Sequence, residues 1–114
     1  MTSPTISPQT MSRLGFIRML YQQGVNQSQA PEPLNAKCVL SLHDTTELFL
    51  VLAAEHLRIS LPKYMSFMDY WKLLDPAKQP AGVKLTSEQQ MNRLNDLRNA
   101  LKHHGTQPSF AAIQ

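Results

Sequence analysis

The sequence predicts an all-α fold, an antiparallel four-helix bundle, from three observations. Apolar residues recur every three or four positions in two separated stretches. A long Leu- and Ala-rich segment runs without internal Pro or Gly, and connectors bearing Pro, Gly and Ser divide the chain into four pieces. The length of 114 residues suffices for one hydrophobic core and falls short of two ordinary domains. A composition of 42% hydrophobic and 17% charged residues is that of a chain that buries a core.

Residues 1–10 are rich in Ser, Thr and Pro and lack the basic start and apolar run of a signal peptide. They are expected to form a flexible arm ahead of a bundle spanning residues 11–105. From Met11 to Asn26, Leu14, Ile17, Tyr21 and Val25 form the stripe of an amphipathic helix, weakened by Gly15 and Gly24. Residues 27–33, with Pro31 and Pro33, read as a connector.

The second helix is expected over Leu34 to Arg58, and it is the longest. Its run from Leu48 to Ala54 is apolar on nearly every side, which calls for neighbours packed around it. That run is a third of a membrane span and is bracketed by Glu47 and Glu55, so a soluble protein is expected and no transmembrane helix.

Pro62 marks a turn, and Ser66-x-x-Asp69 has the form of a capping box opening a short helix to Leu74. Asp75 to Leu85, with Pro76, Pro80 and Gly82, reads as a surface loop. Thr86-x-x-Gln89 is a second candidate capping box. Behind it Met91, Leu94, Leu97 and Leu101 line one face of a helix ending at Gly105. Residues 106–114 are expected to be a tail or the start of a further element, and their ending suggests that the chain is part of a longer protein.

The formal charge of +3 favours contact with phosphates only mildly. Cys38 is the one cysteine, which excludes an intrachain disulfide and a multi-cysteine zinc site and fits a reducing, cytoplasmic setting. It lies in an apolar segment and is read as packing rather than as a nucleophile.

The residues with the most chemistry are Arg98, Asn99, Lys102, His103 and His104, crowded into the final turns before Gly105. Two readings compete. Cations at a helix C-terminus offset the negative end of its dipole and glycine terminates helices, so the cluster can be structural. Alternatively, metal-free RNA cleavage needs an imidazole to move protons and a fixed cation for the phosphate, which histidine and arginine supply. The five-residue spacing sets Arg98 and His103 about 140° apart around a straight helix. A site shared across a two-fold dimer, or an unwound helix end, would bring them together.

The string Arg98-Asn99 followed by His103 resembles the Arg-polar-x-x-x-His signature of HEPN domains, helical bundles that typically dimerise and in active members cleave RNA without metal. The similarity extends over Leu94 to Leu97, Met65 to Leu74 and the Leu42-His43-Asp44-x-x-Glu47-Leu48 segment. The resemblance implies that Arg98 stabilises the scissile phosphate, that His103 or its neighbour His104 acts as acid or base, and that Asn99 assists. It further implies an RNA substrate contacted by Lys102, a homodimer, and a bacterial defence or toxin-antitoxin setting with an antitoxin or other partner protein. Where some family toxins carry a modifiable tyrosine two residues past the motif histidine, this chain has Gly105.

His43, Asp44 and Glu47 interrupt the second helix. They read either as its wet face or, in the HEPN-like reading, as support that orients His103 or Arg98. A metal site from His43, Glu47 and a motif histidine lacks the paired histidines of a metalloprotease helix, so no metal or cofactor is expected. Phe67, Tyr70 and Trp71, with Met65 and Met68, could stack RNA bases, although their helical spacing fits core packing better. The rival function is a non-catalytic module that dimerises or binds RNA or protein. Convergence of the motif residues on one cleft would favour catalysis, and their separation at a bare helix end would favour the module.

Overall fold

The computed structural model describes residues 6–77 and 82–107. Among them every regular element is helical. Helix α1 spans Pro8–Ser28 and α2 spans Lys37–His56, with a 3-10 turn over Leu34–Ala36 leading directly into α2. A second 3-10 turn, Phe67–Asp69, runs into α3, Tyr70–Leu73, and α4 covers Glu88–His104. The third of the four predicted helices is thus a single α-helical turn behind a 3-10 turn.

Helix α1 starts at Pro8, inside the stretch expected to be an arm. Ser7 accepts a hydrogen bond from the Thr10 N–H at 3.1 Å, and Pro8 follows at the first helical position, where its missing N–H costs nothing. The expectations for residues 1–5, 78–81 and 108–114 lie outside the described residues.

Helices α1 and α2 form an antiparallel pair. The Arg13 guanidinium near the start of α1 forks onto the Glu55 carboxylate near the end of α2. At the opposite end Ser41 donates to Gln27 at 2.6 Å. Gly24, which weakens the helix in isolation, lets the two backbones approach: a Cβ there would lie 2.6 Å from Leu42 Cδ2. Ile17 is buried, whereas Tyr21 of the same predicted stripe is exposed.

The apolar run in α2 is covered on two sides, by α1 and by the main core, and left open along one strip. Leu50, Leu52 and Ala54 are buried, but Leu48 and Phe49 are 39% and 50% exposed. Helix α2 ends in a Schellman turn: Arg58 adopts φ 59°, its N–H reaches Glu55 O, and Ile59 N–H reaches Ala54 O at 2.9 Å. Ile59 then joins Leu50, Ala54, Phe67, Tyr70, Trp71 and Leu74 in the main core cluster. The aromatic group is therefore core and presents no stacking platform to solvent.

The Ser66 box forms, with the Ser66 N–H donating to Asp69 at 2.9 Å. That bond, given to the charged carboxylate, holds the Asp69 pKa below its ordinary value. The Thr86 box does not form. The Trp71 indole donates to the Thr86 carbonyl at 3.2 Å, and the chain turns at Ser87, φ 60°, so α4 begins after a left-handed residue without a side-chain cap. Leu85, assigned to a surface loop, packs against the core, as Met91 does.

Candidate functional site

Helix α4 runs antiparallel to α2. His43 meets Asn95 at 2.9 Å, and on the side toward the start of α2 and the end of α4 an open groove lies between the two helices. The groove has a volume of about 670 Å³. From α2 and the turn before it come Pro33, Ala36, Lys37, Leu40 and Asp44, and from α4 and its exit come Arg98, Leu101, Lys102 and Gln107.

Helical periodicity explains this set. Lys37, Leu40 and Asp44 stand at i, i+3 and i+7 on one face of α2, and Arg98, Leu101 and Lys102 at i, i+3 and i+4 on one face of α4. Leu40 and Leu101 supply apolar wall, and three cations and one carboxylate surround it. Arg98 is half-buried. Its Nε–H is inaccessible to solvent and finds no acceptor among the described residues.

No ion pair joins Asp44 to Arg98, Lys37 or Lys102 among the described residues, although all four line one cavity. Asp44 is exposed, as are Lys37 and Lys102. The first amides of the neighbouring helical turn are already used, Asn35 N–H by Pro31 O and Ala36 N–H by Pro33 O. The positive character of the groove therefore comes from side chains and owes little to a free helix N-terminus.

His103 and His104 are exposed in the last turn of α4 and do not line the groove. Gly105, at φ 65°, closes the helix without unwinding its end, and its N–H bonds to Leu101 O at 3.0 Å. Within one chain the structure brings Arg98 together with Lys102 and Asp44, and leaves both histidines apart from them. Asn99 is half-buried and outside the groove wall.

His43 is neither a surface residue nor a neighbour of the motif histidines. It is 2% exposed, its ring lies 4.1 Å from that of Phe67, and with Asn95 Oδ1 facing it Nε2 carries the donated proton. Nδ1 is buried without a partner among the described residues. Its role is to fasten α4 to α2. Glu47 is exposed and outside the groove; its charge, after burial, helps push the Tyr70 phenol upward. Burial likewise raises the Cys38 pKa, which disfavours the thiolate that a nucleophile requires.

Among the described residues no three His, Cys, Asp or Glu side chains cluster as a metal site. No described helix is long and apolar enough to cross a membrane. Sequence reasoning missed Lys37, Leu40, Pro33 and Gln107, although the spacing of Lys37 and Leu40 to Asp44 was a usable signal. Comparison with family models, curated proteins and solved structures found no match to this chain.

Proposed function

We propose that this chain is a HEPN-like helical bundle that binds RNA and cleaves it without a metal ion, acting as a cytoplasmic homodimer. The observation that carries this reading is Arg98, whose guanidinium lines a solvent-open groove with Lys102 and Lys37 and makes no ion pair among the described residues. A planar guanidinium with free donors beside two ammonium groups is suited to a phosphodiester. Arg98 would neutralise charge developing on the phosphate, and an imidazole would take the 2′-hydroxyl proton or protonate the leaving oxygen.

Because His103 and His104 stand outside the groove of their own chain, the imidazole is assigned to a second copy packed across the end of α4. One chain then holds half of each site. The resemblance in the Arg98-to-His103 string adds the biological expectation, a bacterial defence or toxin-antitoxin role with an inhibitor or activator protein.

The test is cleavage of a labelled RNA pool in EDTA. Wild type should cut, Arg98→Ala should not, and loss of activity in either His103→Ala or His104→Ala assigns the imidazole. Intact RNA after incubation with folded wild type sinks the nuclease reading. The position of the histidines favours one specific second reading, a non-catalytic module that grips RNA in the groove. It predicts binding that depends on Arg98 and Lys102, with no cleavage.

A further inference from the structure

We propose that the groove between α2 and α4 is a single-nucleotide pocket selective for guanine, with Asp44 as the residue that reads the base. The inference rests on the RNA-binding reading above and adds to it the identity of one nucleotide. Its volume of about 670 Å³ lies within the range of small-ligand sites. The lining is divided by chemistry: Lys37, Arg98 and Lys102 for the phosphate, the side chains of Pro33, Leu40 and Leu101 for an apolar ring face, and one acid.

The acid is the informative member. Asp44 lines the groove with three cations and forms no ion pair with any of them among the described residues. Its oxygens stay open to donors from a ligand, and a carboxylate accepts only, through two oxygens side by side. Guanine alone among the four RNA bases presents two adjacent donors on its Watson–Crick edge, N1–H and the N2 amino group. Adenine and cytosine place a ring-nitrogen acceptor beside their amino group, facing a carboxylate oxygen with a lone pair, and uracil flanks its single N–H with carbonyls. A wrong base forfeits both bonds and sets a lone pair against the carboxylate; because Asp44 is exposed and water can take the vacated positions, the expected preference is about tenfold rather than absolute.

The same chemistry is carried by a guanosine within an RNA strand and by free guanosine monophosphate. Titration calorimetry with GMP, AMP, CMP and UMP, and with 2′-O-methyl UGU and UAU trinucleotides that cannot be cut, separates the two sources. GMP or UGU should bind at least about tenfold more tightly than its counterparts. Binding of UGU without GMP assigns the pocket to a strand, and the reverse assigns it to the free nucleotide. Asp44→Asn, at an exposed position where folding is checked by circular dichroism, should erase the guanine preference while retaining phosphate-dependent binding, and Lys37→Ala should weaken all bases alike. Equal binding of the four bases, no binding of any probe, or a guanine preference that survives Asp44→Asn overturns the proposal. Cleavage in EDTA without guanine preference would overturn this inference alone, and guanine binding without cleavage would overturn the nuclease reading alone.

Discussion

His43 of α2 and Asn95 of α4 are joined by a 2.9 Å hydrogen bond at the point where the two helices cross, with the imidazole lying against Phe67. The ring is buried, so removing Asn95 strips the imidazole of its hydrogen-bond partner among the described residues. His43→Ala should lower unfolding free energy by about 2–4 kcal/mol, from the cavity and the lost contact with Phe67. Asn95→Ala should cost about 1–2 kcal/mol. Urea denaturation of both singles and the double variant should give a coupling of about 1 kcal/mol; additive losses would show that the bond contributes nothing of its own.

The two α1 glycines should respond oppositely to alanine. A Cβ at Gly15 meets nothing within 4 Å, so Gly15→Ala gains helix propensity and should stabilise by about 0.5–1 kcal/mol. At Gly24 the new methyl would press on Leu42 Cγ and Cδ2, at 2.8 and 2.6 Å. Repacking there should outweigh the propensity gain and leave the variant about 1 kcal/mol less stable. Thermal melts of the pair decide this, and equal melting temperatures would contradict the close packing of α1 on α2.

Acid should weaken the fold through two carboxylates. Glu55 is held below its ordinary pKa first by the hydrogen bond from Arg13, and Asp69 first by the Ser66 backbone N–H. For a group with a depressed folded-state pKa, the stabilisation is fully present above the unfolded value and is lost as pH falls through the folded one. The decline therefore belongs below about pH 4. Glu55→Gln should make that decline shallower in denaturant titrations from about pH 6 to about pH 2, and added salt should shrink the difference because both partners are exposed.

If the active site is shared between two chains, inactive variants should complement. An Arg98→Ala chain keeps His103, and a His103→Ala chain keeps Arg98, so a mixed dimer holds one intact site. Equal mixing, with random exchange of subunits, should restore about a quarter of wild-type cleavage. Recovery of nothing, with exchange verified by mass, would place both groups in one chain.

Phosphate contacts also leave a thermodynamic mark. Binding of single-stranded RNA should weaken with salt, and removing one groove cation by Lys37→Ala or Lys102→Ala should reduce the slope of log K against log salt by about 0.7. An unchanged slope for Lys102→Ala would take the RNA backbone out of the groove.

Much of the helical framework was legible because it follows from short-range pattern. The Met91 to Leu101 stripe, the Pro- and Gly-free second helix and the Ser66-x-x-Asp69 box all encode local geometry. The start of α1 was legible too, in Ser7-Pro8, but was hidden by the polar composition around it. The Thr86 box failed because tertiary contact overrode it: the Trp71 indole takes the Thr86 carbonyl and the backbone turns at Ser87. His43 interrupts an apolar helix and reads from the sequence either as wet face or as support for the motif residues; only the arrival of Phe67 and Asn95 from distant parts of the chain makes it buried. Of the candidate site, the Arg98 and Lys102 face could be read from i, i+4 spacing. Their meeting with Lys37 and Asp44 depends on the crossing of α2 and α4, which no local pattern specifies.

Helix α4 contains no fully buried residue. Near its start Met91 packs against the core, Asn95 fastens to His43, and Arg98, Lys102 and the two histidines follow further along. Anchoring and chemistry are thus ordered one after the other on a single rod. Past the fastening point, Lys102, His103 and His104 at the end of the helix are exposed, so substitutions at these three positions should alter what the rod presents to solvent while leaving the frame that holds it in place.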